Sequence, residues 1–198
     1  MKKTIIISGA SGNLGKDVVK VLSNNGYNLS LTVSARNPDE YSNLENVSSF
    51  VVDLSDKKAS KEFIDTVFEQ NESVQSAVLL VGGYENGTLE NSSNESIQKM
   101  IDLNFFTAYN LVQPLLDYFE KQNSGHIILI SSKTTMNPID GVASFGYTLS
   151  KKMLLNMSEM INSKYDHIKS TVLVLGTMDT PATRASSPNA DFSKWVAT

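Results

Sequence analysis

Short runs of apolar, often β-branched residues alternate along this chain with longer stretches in which apolar positions recur every three or four residues. The runs at 4–8, 29–34, 49–52, 77–81, 127–130 and 171–175 are too short for helices and are bounded by glycine or polar residues, which predicts six buried strands. Helices are predicted between them. After Gly15, Val18, Val19, Val21 and Leu22 form an apolar side; over 55–70, Ser55 reads as N-cap, with Phe63, Val67 and Phe68 inward. A long helical pattern fills 95–119, and Pro114 within it is expected to bend it locally. Phe105, Phe106, Leu115, Leu116, Tyr118 and Phe119 cover more than one of its faces, as if a second subunit packed there besides the sheet. A last helix spans 144–163, packing through Leu149, Met153, Met157, Met160 and Ile161, and 176–198 reads as a polar tail. Strands interleaved with helices imply one α/β domain over 1–198, a doubly wound parallel sheet in three layers, α/β/α, of Rossmann type.

The punctuation between elements carries the chemistry. Strand one runs into Ser8-Gly9-Ala10-Ser11-Gly12-Asn13-Leu14-Gly15 and then a helix. Glycines at 9, 12 and 15 there allow a tight turn, approach of a pyrophosphate to backbone N–H groups, and close helix-on-strand packing. Ala35 and Arg36 follow strand two, where an acid would take the ribose 2′-hydroxyl of NAD; an arginine instead accommodates the 2′-phosphate of NADP, so NADP(H) is preferred over NAD(H). Asp39 and Glu40 nearby act against that preference. Asp53-Leu54 after strand three either meets the adenine amino group or starts the next helix. Gly82 and Gly83 after strand four let a cofactor lie against the backbone, or form a plain turn.

Tyr147 and Lys151 stand four apart on a helix, so both project from one face. An ammonium there favours the phenolate and makes the hydroxyl a usable proton donor and acceptor. Moving a phenol by about three pKa units takes roughly 4 kcal/mol, which a close, partly desolvated cation can supply. Tyr165 and Lys169 share the spacing but sit in a polar stretch, where a solvated face is expected. Ser131-Ser132 ends strand five, as a catalytic hydroxyl or a strand-to-loop transition. Asn104 falls among apolar positions, so its amide must bond backbone or hold a water. His126 and His167 are isolated and expected to be solvated.

Composition narrows the classes. A net charge of −4 with no long basic run argues against nucleic acid as main partner. With no cysteine, disulfides, thiolate chemistry and Cys-zinc sites are excluded, and no metal site is expected. The apolar run after Met1-Lys2-Lys3 is too short for a signal peptide or membrane span, so the protein is expected to be cytoplasmic.

Jointly, the SGASGNLG turn, Asp53-Leu54, Val81-Gly82-Gly83, Asn104, Ile130-Ser131-Ser132, Tyr147-x-x-x-Lys151 and Gly176-Thr177-Met178-Asp179-Thr180-Pro181 resemble the short-chain dehydrogenase/reductase family from Ile5 to Trp195. The resemblance implies Tyr147 as general acid/base, with Lys151 lowering its pKa and binding the nicotinamide ribose. Ser132 would bond the substrate oxygen, Asn104 would hold a relay water, and Thr180 would contact the carboxamide. The turn, Val81, Gly82, Gly83, Gly176, Thr177 and Met178 would line the cofactor. The chain departs from the family pattern at Ser8-Gly9, at the extra Gly12, at Leu80-Val81-Gly82-Gly83 and at Leu175-Gly176. Ser132 also lies further than usual before Tyr147, leaving Ser131 and Thr134 as alternatives. The tail from Thr177 through Arg184, Phe192 and Trp195, and the Gly82-Gly83-Tyr84 turn, resemble the quinonoid dihydropteridine reductase branch, although Asn104, Ser132 and Arg36 do not. A small carbonyl, alcohol or pterin-like imine substrate follows, as does a homodimer or homotetramer through 95–119 and 144–163. The family pattern also continues through another helix and a seventh strand, which this sequence reads as missing. A non-catalytic NADP-binding sensor or scaffold of the same fold is the alternative.

Overall fold

The computed structural model describes residues 3–196. Six parallel strands form one sheet in the order β3-β2-β1-β4-β5-β6. They are β1 (Thr4–Ser8), β2 (Asn28–Val33), β3 (Val47–Val51), β4 (Val74–Leu79), β5 (Gly125–Ser132) and β6 (Ile168–Leu175). Crossovers are made by α1 (Asn13–Asn24), α2 (Lys57–Gln70), α3 (Asn94–Ile101) with α4 (Thr107–Gln122), and α5 (Phe145–Lys164).

The two-residue period of a strand decides which core each side chain joins. In β1, Ile5 and Ile7 pack with Val19, Leu29 and Leu31 on one face, while Ile6 packs with Phe63, Leu111, Leu115 and Ile127 on the other. Both faces are therefore covered, and β1, at 0–6% exposure for its three isoleucines, lies between its neighbours in the middle of the sheet. Reversal of strand order beside β1 opens a crevice at the C-terminal strand ends. β6 is an edge strand, with Leu173 and Val174 partly exposed.

Helix boundaries correct several expectations. The N-cap of α2 is Asp56, whose carboxylate accepts from Lys58 and Ala59 N–H. Ser55 is diverted, since its N–H and hydroxyl both donate to Asp53 Oδ1. The long helix is α3 and α4 joined by a π turn, Asp102–Phe106, and Pro114 lies inside α4. Its several apolar faces meet partners within the chain: Leu115 and Phe119 are fully buried, and Tyr118 stacks on Phe68 of α2 at 4.1 Å.

The tail is structured. Thr180 and Thr183 form a capping box for α6 (Pro181–Ser186), with Pro181 in its first turn. The chain then returns, and Val196 bonds backbone to Thr177 and Asp179. Tyr165, expected in solvent, belongs to the core at 8% exposure, because it ends α5 with its ring turned inward. His126 Nε2 sits 2.8 Å from Thr171 Oγ1, and His167 Nε2 is buried with no hydrogen-bond partner, so neither is simply solvated.

Candidate active site

The glycine turn folds as it does for steric reasons. Gly9 has φ +71°, and a Cβ there would meet the Val81 side chain at 3.0 Å. At Gly15 a Cβ would lie 2.3 Å from Gly9 O and 2.7 Å from Ala10 O, so only glycine lets α1 rest on the turn. Gly12 is the N-cap of α1; no side chain caps that end and no acid stands in its first turn. An uncapped start of a twelve-residue helix, beside a turn whose flanking residues Gly9 and Gly12 carry no side chain, fits the diphosphate of a dinucleotide.

Gly9, Ser11 and Gly12 line a cleft of about 830 Å³. It passes Thr32, Val33, Ser34, Asp53, Leu54 and Ser55 and reaches Leu80, Val81 and Gly82, with Lys99, Asp102, Leu103 and Thr107 along the α3–α4 side. Another cavity, of about 460 Å³ between α2 and α4, contains none of the predicted site residues.

At the Gly82 end the cleft meets the predicted catalytic groups. A Cβ on Gly82 would lie 2.6 Å from Asn104 Oδ1 and 3.0 Å from Lys151 Nζ. Asn104, fully buried in the π turn, bonds backbone: Oδ1 accepts from Gly83 N–H at 3.0 Å, and Nδ2 donates to Gly83 O at 3.1 Å. Lys151 is 6% exposed and donates to Ile130 O at 3.0 Å. Burial pulls its pKa down to about 8.

Tyr147 lies one helical turn before Lys151, whose ammonium is 6.0 Å from the ring centroid. Burial holds the phenol above its ordinary pKa, against a Ser132 hydrogen bond that lowers it, and the neighbouring Tyr84 adds to the rise. Acidification of Tyr147 by Lys151 is therefore not found among these residues. The ammonium is turned to the Ile130 carbonyl, and desolvation is the largest influence on the phenol. The Tyr84 ring meets Tyr147 edge-on at 4.9 Å, and its hydroxyl donates to Asn86 Oδ1.

The three candidate hydroxyls separate. Ser131 Oγ donates to Lys151 O and sits in the core. Ser132 Oγ bonds Tyr147 and accepts from the Thr134 N–H and hydroxyl. Thr134 Oγ1 in turn accepts from Thr148 Oγ1, so a chain of hydroxyls supports Ser132.

Of the predicted cofactor residues, Gly9, Ser11, Gly12, Asp53, Leu54, Val81 and Gly82 line the cleft. Asn13 and Leu14 open α1, Gly15 is buried under the turn, and Gly83 backs onto Leu103. Arg36 is exposed, with no ion pair among the described residues. Asp53 is held by Ser55, whose two hydrogen bonds keep its carboxyl below the usual range. Gly176, Thr177, Met178 and Thr180 stand outside the cleft lining; Thr180 is occupied by the α6 capping box, and Thr177 pairs with Val196. Thr32 is not among the residues the sequence singles out, and Tyr84 is singled out only as the aromatic of the Gly82-Gly83-Tyr84 turn. Thr32 Oγ1 accepts from Gly9 N–H, and a hydroxyl is no distinctive signal in this strand, which also holds Ser30.

Fold and site together define a doubly wound α/β protein of Rossmann type. The chain belongs to the short-chain dehydrogenase family of oxidoreductases, whose family model, described as short chain dehydrogenase, matches residues 3–191. A dihydropteridine reductase of Dictyostelium discoideum is 26% identical, the match taking in 99% of this chain and 83% of that protein. A 3-ketodihydrosphingosine reductase of Bacteroides thetaiotaomicron is 28% identical across 89% of this chain and 64% of its own length. Among solved structures, ElxO with NADP bound superposes with a TM-score of 0.90 at 21% identity, over 100% of this chain and 87% of that one. An oxidoreductase of the short chain dehydrogenase/reductase family from Burkholderia thailandensis gives 0.84 at 20% identity, over 100% and 81%. At such identities the structures speak to the fold. Among the described residues, no helix is long and apolar enough to cross a membrane.

Proposed function

We propose that this protein is an NADP(H)-dependent reductase of a small carbonyl or imine compound, with Tyr147 as proton donor. The observation that carries this reading is the convergence of Asn104 and Lys151 on Gly82, with Tyr147 and Ser132 hydrogen-bonded beside them, at one end of a cleft whose other end is the glycine turn. A bound nicotinamide supplies or accepts the hydride. Tyr147, held above the ordinary phenol pKa, keeps its proton at neutral pH and can give it to an oxygen or nitrogen that gains charge. Ser132 has its lone pairs engaged by Thr134, so its hydroxyl proton is directed to the Tyr147 oxygen, and a substrate atom bound beside that oxygen would compete for it. Lys151, titrating near 8, can return a proton toward Tyr147. Asn104 positions the Gly82–Gly83 backbone.

Arg36 supports the NADP(H) preference, as an exposed cation just after β2. The two named relatives, a pterin reductase and a ketone reductase, support the imine and carbonyl classes respectively. Partly exposed Phe106 and Tyr109 on the α4 side, and Leu149 and Met160 on α5, support assembly with further copies through these helices. The test is NADPH oxidation against a panel of carbonyls including quinonoid dihydropterin, with Tyr147→Phe as control. Turnover that survives this substitution, or dinucleotide binding with no turnover across the panel, rejects the reading.

A further inference from the structure

The segment after β2 is tied to the glycine turn by a set of contacts that the catalytic end does not use. Tyr41, 8% exposed, donates its hydroxyl proton to Ala10 O at 2.7 Å. Ser34 N–H donates to Ser11 Oγ at 3.1 Å, and the Ser11 hydroxyl is hydrogen-bonded to the Glu40 carboxylate. Lys16, on the first turn of α1, pairs with the same carboxylate at 2.7 Å. The Glu40 side chain is only 14% exposed, whereas that of Lys16 is 54% exposed.

Glu40 is a carboxylate at neutral pH. Burial works to raise its pKa, but hydrogen bonds from Lys16 and Ser11, with the Lys16 charge, outweigh that and leave it lowered. A fixed negative charge thus lies directly behind Ser11, at the end of the cleft where the ribose of a dinucleotide would lie next to β2. A carboxylate in that neighbourhood repels a 2′-phosphate and suits a free 2′-hydroxyl. Among the described residues its ion pair is with Lys16, and Arg36 lies on the exposed side of the same segment.

Building on the cofactor reading above, we infer that Lys16 is a specificity-determining residue: by pairing with Glu40 it cancels a carboxylate that would otherwise turn the site toward NADH. Arg36 then attracts the phosphate, while Lys16 removes what would oppose it. The two contributions are separable, because a role of Lys16 through Glu40 disappears when Glu40 is neutralised, whereas a direct one does not.

Direct binding of each dinucleotide to the purified full chain, by calorimetry or by nicotinamide fluorescence, tests this without reference to turnover. Lys16→Met is expected to weaken NADPH about tenfold and NADH less than about twofold. Glu40→Gln is expected to leave NADPH binding intact or tighter. The double variant Lys16→Met/Glu40→Gln is expected to recover the wild-type preference, a non-additivity that marks coupling through one partner. Equal weakening of both dinucleotides by Lys16→Met would show that the pair only holds the loop, and would overturn the inference. So would a double variant that keeps the full Lys16→Met defect. Wild-type protein that binds neither dinucleotide would instead overturn the proposed function itself.

Discussion

Asn104 grips Gly83 from both sides, with its carboxamide oxygen on the glycine N–H and its amide nitrogen on the glycine carbonyl. The residue is fully buried, and apart from a long contact of its amide nitrogen with Met100 Sδ at 3.8 Å, Gly83 is its partner among the described residues. Replacing it leaves two backbone groups of the Gly82–Gly83 turn without their partner. Asn104→Ala is expected to cost about 2–3 kcal/mol in chemical denaturation and to lower kcat/KM through loss of turn position. Unchanged stability would show that water replaces the amide freely.

Tyr147→Phe removes one oxygen and keeps the ring against Tyr84. We expect kcat to fall by about 10²- to 10⁴-fold, the range for a general acid, with KM for the cofactor little changed. Stability should fall by no more than about 1 kcal/mol, for the lost Ser132 hydrogen bond.

Lys151 is the converse case, a residue of the proposed site whose burial as a cation opposes folding. Its folded pKa of about 8 lies below the unfolded value of 10.5, so the folded state disfavours the proton. The folded state is therefore relatively most stable above pH 10.5, and loses that advantage as pH falls through 8, by about 3 kcal/mol at most. Wild-type protein should gain stability relative to Lys151→Met between pH 7.5 and 9.5, on the order of one to two kcal/mol across that window. At pH 7 Lys151→Met should be inactive and melt higher than wild type. A lower melting temperature would mean that the Ile130 hydrogen bond outweighs desolvation.

Asp56→Ala should cost about 1 kcal/mol by uncapping α2, and Ser55→Ala clearly less, since Ser55 serves the Asp53 turn instead. Equal losses on thermal melting would put the cap back on Ser55.

The sequence was most readable at the C-terminal ends of strands. Glycines at 9, 82 and 83 and the Ser131-Ser132 pair punctuate the chain where it leaves the sheet, and those are also the ends that build the site. The opposite ends were less clear. β5 begins at Gly125 and β6 at Ile168, earlier than expected, because Lys169 and Ser170 look like loop although their backbone pairs with β5. Asn104 was visible as a polar residue in an apolar stripe and in the family pattern, but neither conveyed the π turn around it or its two bonds to Gly83. The Lys16–Glu40 pair joins residues on different elements and leaves no local trace. By contrast α6 had a readable start in Thr180-Pro181 and Thr183, masked by the polar composition around it. The electrostatics of Tyr147 and Lys151 depended on burial, which spacing alone does not convey.

The π turn at Asp102–Phe106 also sets the phase between two halves of one rod. A regular helix advances about 100° per residue, so the additional residue held in the wider loop re-aims everything after it. Here α3 contacts α5, whereas α4 contacts α2 and delivers Leu111, Leu115 and Phe119 to the interior. Shortening 102–106 by a single residue would rotate the second half by roughly a third of a turn and carry those side chains out of alignment with the sheet. Insertions and deletions in this stretch should accordingly be far less tolerated than point changes on its outer surface.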